Sequence, residues 1–297
     1  MNNFHTPVLL KEIIENLKVQ KDKKYIDATI GGGGHSFEIL KKGGIVLGID
    51  VDQEAIDYIK KQVKIWERLT LVKGNFRDID KIAHLNNFGI VSGIIFDLGI
   101  SSHQLEKGER GFSFQKEGRL DMRMDQSLGV LALDLIKILT KGELYEIFTK
   151  FGEENLAWAI SERIVSARKM KPIETTKDLA LVIERTFSKN GVKSGFAKAQ
   201  ANKRVFQALR IVVNDELNAL EQALPKAVSL LEKNGRLAVV SFHSLEDRIV
   251  KKEFIKFKEK KLGEIITEKP IIPGMDELER NRRARSAKLR IFEKLVN

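Results

Sequence analysis

Four consecutive glycines, Gly31 to Gly34, stand between two apolar runs and restrict the fold more than any other feature of the chain. The run before them, Lys24 to Thr29, contains Asp27, and the run after them, Ile45 to Asp50, ends on an acid. Such continuous apolar runs are typical of parallel strands that are covered on both faces. Glycines between strand and helix let the backbone approach a ligand without a Cβ in the way. The pattern predicts a nucleoside-binding α/β fold.

The same rhythm of strand and helix continues along the chain. Further strands are predicted at Leu69–Val72, Val91–Asp97 and Arg236–Phe242, with an edge strand at Lys288–Leu295. Helical spacing of apolar residues over Ala55–Trp66 supplies one of the connections. The alternation predicts a doubly wound, mostly parallel sheet.

The rhythm is interrupted after Asp97 by about a hundred residues with helix-period apolar positions and little that resembles a strand. We therefore predict an inserted all-helical domain at residues 105–204. Residues 1–104 and 205–297 would form one discontinuous core, with a continuous helix over Val205–Leu224. Residues 258–285 are charged and contain several Gly and Pro, so we interpret them as a mobile loop.

The complete lack of cysteine excludes several classes of chemistry. Disulfides, iron–sulfur clusters and cysteine-ligated zinc are impossible, and so is covalent attack by a thiol. The five histidines are scattered, so no metal site is predicted. The longest uncharged apolar stretch, around Asn86 to Phe96, is too short to cross a bilayer, and the first residues do not resemble a signal peptide. We expect a cytoplasmic protein with no membrane partner.

The net charge of +11 is unevenly distributed. Residues 105–205 carry 19 Lys and Arg against 14 Asp and Glu, residues 251–297 carry 14 against 8, and the remainder is neutral. Either excess could serve solubility alone. The alternative is a surface that binds the phosphate backbone of a nucleic acid. The cluster of basic residues Arg282, Arg283 and Arg285 favours contact with RNA.

The residues around the glycine loop discriminate among nucleotide-binding classes. A Walker loop requires Lys after the last glycine, where the chain has His35, and a dinucleotide fingerprint requires a third glycine where it has Ser36 or Phe37. A methyltransferase that uses S-adenosylmethionine has an acid shortly before the loop, a position that Asp27 fills. Asp50 can accept hydrogen bonds from both ribose hydroxyls, a feature shared with NAD-binding folds. We predict a class I S-adenosylmethionine methyltransferase; an NAD-dependent oxidoreductase and a non-enzymatic RNA assembly factor are the alternatives.

Candidate catalytic residues follow the fourth and fifth strands. Asp97 begins the loop Asp97–Gln104 at the carboxyl edge, where amino-group methyltransferases place oxygens that accept hydrogen bonds from the target amine. Ser101 and Ser102 lie in the same loop and are further candidates. His243 follows the fifth strand and could contact a substrate base, with a helix cap at Ser244 as the alternative. No G-x-S-x-G elbow is present, which argues against a hydrolase.

Over nearly its whole length the chain resembles the bacterial 16S ribosomal RNA cytosine-N4 methyltransferases of the MraW type, the small subunit methyltransferase H family. The matching segments are His5–Leu10, Tyr25–Ser36, Asp97–Gln104, Arg110–Phe114, Leu120–Asp125, Arg204–Arg210, Ser241–Arg248 and Arg283–Ser286. The resemblance implies transfer of a methyl group from S-adenosylmethionine to the N4 amine of a cytidine, with 16S ribosomal RNA or the small ribosomal subunit as partner. It implies cofactor contacts at Gly33, Gly34, His35, Asp50, Phe76, Asp97 and Gln104.

The absence of cysteine agrees with this resemblance. Methylation at cytosine C5 normally requires a cysteine nucleophile, whereas an exocyclic amine requires only alignment and hydrogen-bond acceptors. We therefore expect direct in-line transfer without a covalent enzyme intermediate.

Overall fold

The computed structural model describes residues 7–62, 67–189 and 194–296. The start of the matching segment His5–Leu10 and the end of the predicted helix Ala55–Trp66 lie outside these residues. The chain divides into two compact units, one of Met1–Ser101 with Leu217–Asn297 and the other of Ser102–Glu216. The predicted insert at residues 105–204 falls within the second unit.

Seven strands of the first unit form a single sheet in the order β3-β2-β1-β4-β5-β7-β6. The strands are β1 (Lys24–Asp27), β2 (Ile45–Asp50), β3 (Leu69–Lys73), β4 (Val91–Asp97), β5 (Leu231–Ser241), β6 (Gly263–Ile265) and β7 (Lys288–Lys294). The first five run parallel, and β7 is antiparallel to both of its neighbours. The strand order reverses between β1 and β4, which is where open α/β sheets bind ligands. The predicted mostly parallel, class I methyltransferase fold is confirmed, and the reversed β7 distinguishes it from the dinucleotide-binding order 3-2-1-4-5-6.

The described α-helices flank this sheet or build the second unit. They are α1 (Leu10–Leu17), α2 (Gly34–Lys41), α3 (Gln53–Gln62), α4 (Ile79–Leu85), α5 (Ser102–Glu106), α6 (Ala132–Ile138), α7 (Lys141–Lys150), α8 (Ala157–Met170), α9 (Thr176–Lys189), α10 (Gly195–Asn214), α11 (Glu216–Leu230), α12 (Ser244–Glu259) and α13 (Met275–Arg280).

Both faces of the sheet are buried. Ile94 and Phe96 of β4 belong to a core that includes apolar residues of α4, α11 and α12, whereas Ile95 between them packs with residues of α1 and α2. Successive strand residues point to opposite faces, so a strand covered on both sides must be apolar throughout. This requirement explains why the strands were recognisable as continuous apolar runs.

The region after α11 differs from the sequence prediction. β5 begins at Leu231, five residues earlier than expected, and the predicted loop at residues 258–285 contains β6, α13 and a short 3₁₀ helix at Arg282–Ser286. Gly263, one of the glycines within the predicted mobile loop, lies in β6. A Cβ on this residue would stand only 2.0 Å from the carbonyl oxygen of Glu293 in β7, so the close approach of the two strands requires glycine.

In the second unit, Asn214 ends α10 and fixes the segment that contains the Leu120–Asp125 motif. Its Nδ2 donates to the Met122 carbonyl at 2.8 Å, and its Oδ1 accepts from the Met124 N–H at 2.7 Å. The next residue, Asp215, has a φ of 50°, so the helix stops there. The single helix predicted for Val205–Leu224 is therefore wrong: α10 and α11 meet at this left-handed residue.

Replacement of Asn214 by Ala should destabilise the protein because it leaves buried backbone groups of residues 122 and 124 without their partner. We expect the free energy of unfolding in urea to fall by about 1–3 kcal/mol. Asn218→Ala, at an exposed position on α11, is the matched control and should change it by less than about 0.5 kcal/mol. Equal effects of the two substitutions would contradict this assignment.

Candidate active site

Three carboxylates meet at the carboxyl ends of β2, β1 and β4, which are adjacent in the sheet. Asp27 of β1 is in register with Gly48 of β2 and with Ile95 of β4. Asp50 and Asp97 each lie two residues beyond those partners, so they flank the loop that leaves β1. The strand register thus assembles acids that are far apart in the sequence.

Three of the four glycines in the loop serve two different purposes. Gly31 and Gly33 have positive φ values of 48° and 81°. A Cβ on Gly33 would lie 2.8 Å from the Phe37 ring, and one on Gly34 would lie 2.7 Å from Pro7, so packing within the protein requires glycine at both positions. A Cβ on Gly31 would meet nothing closer than 3.9 Å, so this glycine leaves open space above the loop.

Asp27 is buried and accepts hydrogen bonds from residues on both sides of the four glycines. Its Oδ2 accepts a hydrogen bond from the Ser36 hydroxyl at 2.7 Å, and its Oδ1 accepts one from the Thr29 N–H at 3.3 Å. Burial raises the pKa of Asp27, and the charge of nearby His35 and the Ser36 hydrogen bond oppose that increase. Asp27 therefore organises the loop from the protein interior.

Asp50 braces the loop from the β2 side. Its Oδ2 accepts from the Gly31 N–H and its Oδ1 from the Asp52 N–H, both at 2.9 Å. The side chain is partly exposed, and each carboxylate oxygen has a second lone pair for a ligand donor. Burial raises the pKa of Asp50 to about 6, and the two backbone hydrogen bonds oppose the rise.

Asp97 faces the loop from the β4 side. Its backbone N–H donates to the Thr29 hydroxyl oxygen at 2.6 Å, and its Oδ2 lies 3.9 Å from Nδ1 of His35. The other ring nitrogen of His35, Nε2, donates to the Val8 carbonyl at 3.0 Å, which fixes the orientation of the imidazole. Gly99, two residues after Asp97, has a φ of 95°, and a Cβ there would meet only Phe242 at 3.7 Å. The turn after β4 is thus as open as the turn at Gly31.

Phe76 provides an apolar surface at the same edge. It begins a short 3₁₀ helix three residues after Lys73, the β3 partner of Asp50, and Asn75 caps this helix by accepting from the Arg77 N–H. The Phe76 ring packs edge-on against Phe96 with the centroids 5.5 Å apart, and it stays partly exposed.

His243 is the N-terminal cap of α12, one residue before the cap that the sequence suggested. Its Nδ1 accepts from the Glu246 N–H at 3.4 Å, and its Nε2 lies 3.1 Å from Glu246 Oε1. Glu246 completes a capping box by accepting from the His243 N–H at 3.2 Å, and the same oxygen accepts from the Phe242 N–H at 2.7 Å. This arrangement gives His243 a structural role; its contact with a substrate base stays a prediction.

The remaining predicted residues lie along the chain after Gly99. Ser101 ends the first of the two segments that form the first unit, and it is partly exposed. Ser102 begins α5 of the second unit, where Gln104 is buried. Sequence reasoning missed Thr29 as the link between the loop and Asp97, because a backbone-to-hydroxyl bond across 68 residues leaves no local pattern.

Two absences hold for residues 7–62, 67–189 and 194–296, the part of the chain that the structure describes. Every helix there is too short or too polar to span a lipid bilayer. No group of three His, Asp or Glu side chains in those residues is arranged to hold a metal ion.

Comparison with known proteins identifies the family. The sequence profile of the MraW methylase family matches residues 2–295. The chain is 46% identical to the ribosomal RNA small subunit methyltransferase H of Sulfurihydrogenibium sp. (strain YO3AOP1), over 98% of this chain and 99% of that protein. It is 44% identical to the protein of the same name from Halothermothrix orenii, over 99% of each, and 42% identical to that of Fusobacterium nucleatum, over 100% and 98%. The chain therefore belongs to the MraW methylase family, and it is a methyltransferase whose cofactor is S-adenosylmethionine.

Proposed function

We propose that this protein methylates the exocyclic N4 amine of a cytidine in 16S ribosomal RNA by direct in-line transfer. The observation that carries the proposal is the carboxylate of Asp97 at the end of β4, next to the open turn at Gly99 and across the loop from Asp50. The relatives named as small subunit ribosomal RNA methyltransferases support the choice of RNA.

The residues at the carboxyl edge fit S-adenosylmethionine. Gly31 and Gly99 leave space where any other residue would project a side chain, Asp50 offers acceptors for ribose hydroxyls, and the exposed part of the Phe76 ring can pack on adenine. The loop residues Gly33, Gly34 and His35 would line the methionine end. S-adenosylmethionine supplies an electrophilic methyl group carried on a positively charged sulfur.

Asp97 would position the target amine. Its carboxylate can accept a hydrogen bond from an N–H of the cytosine amine, which orients the nitrogen lone pair and provides an acceptor for the proton that the nitrogen loses. His35 holds its imidazole beside this carboxylate, and the hydroxyls of Ser101 and Ser102 follow on the same stretch of chain. We assign His243 a second role in base contact, besides its cap.

The proposed reaction needs no covalent catalyst. The chain has no cysteine, so the thiol attack that activates cytosine C5 is impossible, while an amine requires only orientation. A base inside a helix cannot reach a protein cleft, so the target cytidine must be unstacked, as in a single-stranded region of RNA. We include the helical insert and the arginines 282, 283 and 285 among the candidate RNA contacts.

The direct test measures the product. Purified protein is incubated with S-adenosylmethionine and either naked 16S ribosomal RNA or small subunits from a strain that lacks the protein, and the nucleosides are analysed by mass spectrometry. We expect N4-methylcytidine at one position. Methylation only at C5, or of another nucleoside, would refute the proposal.

Replacement of Asp97 by Ala should reduce the rate of methyl transfer at saturating cofactor by roughly 10²–10³-fold, because it removes a preorganised acceptor at the reacting amine. Asp57→Asn, an exposed acid on α3, is the control and should leave the rate unchanged. Full activity of the Asp97 variant would remove this residue from the mechanism.

Affinity for S-adenosylmethionine should depend on pH through Asp50. Only the carboxylate form offers a second lone pair on both oxygens to ribose hydroxyls, and the raised pKa of about 6 means that protonation begins in mildly acidic solution. Calorimetry should therefore show binding that weakens below pH 6, by about tenfold at pH 5. Asp50→Asn should bind more weakly at neutral pH and lose this dependence. An identical pH profile in the wild type and the variant would rule Asp50 out as its origin.

A further inference from the structure

The positive charge of the C-terminal segment is concentrated on α12 and the turn after it. Residues 251–261 contain six Lys and two Glu, which account for +4 of the +6 carried by residues 251–297. The arginine-rich motif is nearly balanced by comparison, because residues 275–286 contain four Arg and three acids. Most of the excess positive charge of this segment therefore lies on α12 and the turn after it, and little of it lies on the arginine-rich motif.

The cations of α12 share one side of the helix. Arg248, Lys251, Lys252 and Lys256 follow the helical spacing of three and four residues, and together with Ile255 and Glu259 they line a shallow depression. We call these four cations the α12 basic surface. The opposite side of the helix is buried, with apolar contacts from Val250, Phe254 and Phe257.

Intramolecular ion pairs do not explain two of these cations. Lys256 bonds to Glu253 at 2.5 Å, and Lys258, on the flank of the helix, bonds to Glu264 at 2.6 Å. Lys251 and Lys252 are exposed, and neither has an ion-pair partner among the described residues. The exposed ammonium groups of Lys251 and Lys252 therefore suit an external anion.

The α12 basic surface is held rigidly near the catalytic edge. Asp247 anchors the start of the helix by accepting from Arg290 at 2.6 Å and from Lys288 at 3.1 Å. The helix begins four residues after Val240, which is the β5 partner of Asp97. Arg248 thus lies about one helical turn from the end of the helix nearest that edge, and Lys256 lies about 12 Å further along.

We propose that the α12 basic surface binds phosphates of the RNA strand that flanks the target nucleotide. The inference rests on the proposed function, since it assumes an RNA substrate. The four cations form a row that leads away from the catalytic edge, and an RNA strand with one base held at that edge would place its phosphates along such a row. Phosphate contacts set the position of a nucleic acid without reading its sequence.

The test is the salt dependence of RNA binding by a Lys251→Gln, Lys252→Gln double variant of the full chain. The probe is a 16S ribosomal RNA transcript, and the dissociation constant is measured between about 50 and 200 mM salt. Loss of two phosphate contacts should reduce the slope of log K against log salt by about 1 per lysine. Affinity for S-adenosylmethionine, measured by calorimetry, should be unchanged.

The matched control is Lys60→Gln, Lys61→Gln on α3, which removes the same charge from an exposed helix in the neutral part of the sequence. It should retain the wild-type slope, and a slope reduced equally in both variants would reject the local site in favour of a general charge effect. A wild-type slope in the Lys251 and Lys252 variant, or a wild-type protein that does not bind the transcript, would also overturn the inference. If RNA binding follows the expected pattern but no N4-methylcytidine forms, the proposed function fails while the α12 basic surface stands.

Discussion

The buried carboxylate of Asp27 is the interaction on which the active site depends. It satisfies the Ser36 hydroxyl and the Thr29 N–H beneath the glycine loop, and the Thr29 hydroxyl in turn accepts from the backbone of Asp97. Asp50 binds the same loop at Gly31 from the other side. A loop with positive φ at two glycines cannot satisfy its polar groups by regular pairing, so these side chains replace the missing partners. The hydrogen bonds of Asp27 and Asp50 therefore hold the loop and leave the space next to Gly31 open.

Much of this arrangement could be predicted from sequence because it follows local rules. Strands buried on both faces appear as continuous apolar runs, and the parallel order places their terminal acids at one edge. The predictions failed where the cause lay far away in the chain. α10 stops at the left-handed Asp215, next to Asn214, whose side chain binds residues 122 and 124, and β6 exists because β7 pairs with it. Neither partner can be inferred from the residues around the break.

Residues singled out by the sequence have two different roles in the structure: some stabilise local structure, and others lie at the active-site edge. Within the resembling segments, Met122 and Met124 are held in place by Asn214, which lies outside those segments, and His243 and Glu246 cap a helix. Asp50 instead binds the Gly31 N–H, and Asp97 lies two residues before the turn at Gly99, so both stand at the carboxyl edge of the sheet. A sequence motif therefore contains residues with either role, and the hydrogen bonds of each residue show whether it stabilises local structure or lies where a ligand can bind.

The position of the second unit between β4 and β5 has a consequence for biosynthesis. Asp97 pairs with Val240, so the outer edge of β4 has no partner until the chain that follows the second unit has been made. At about 5–20 residues per second, the intervening stretch of roughly 130 residues takes about 7–26 s to emerge from the ribosome. The residues of the second unit are consecutive, so its internal contacts can form during that interval. The nascent sheet meanwhile presents an apolar open edge, and an open strand edge can pair with another chain.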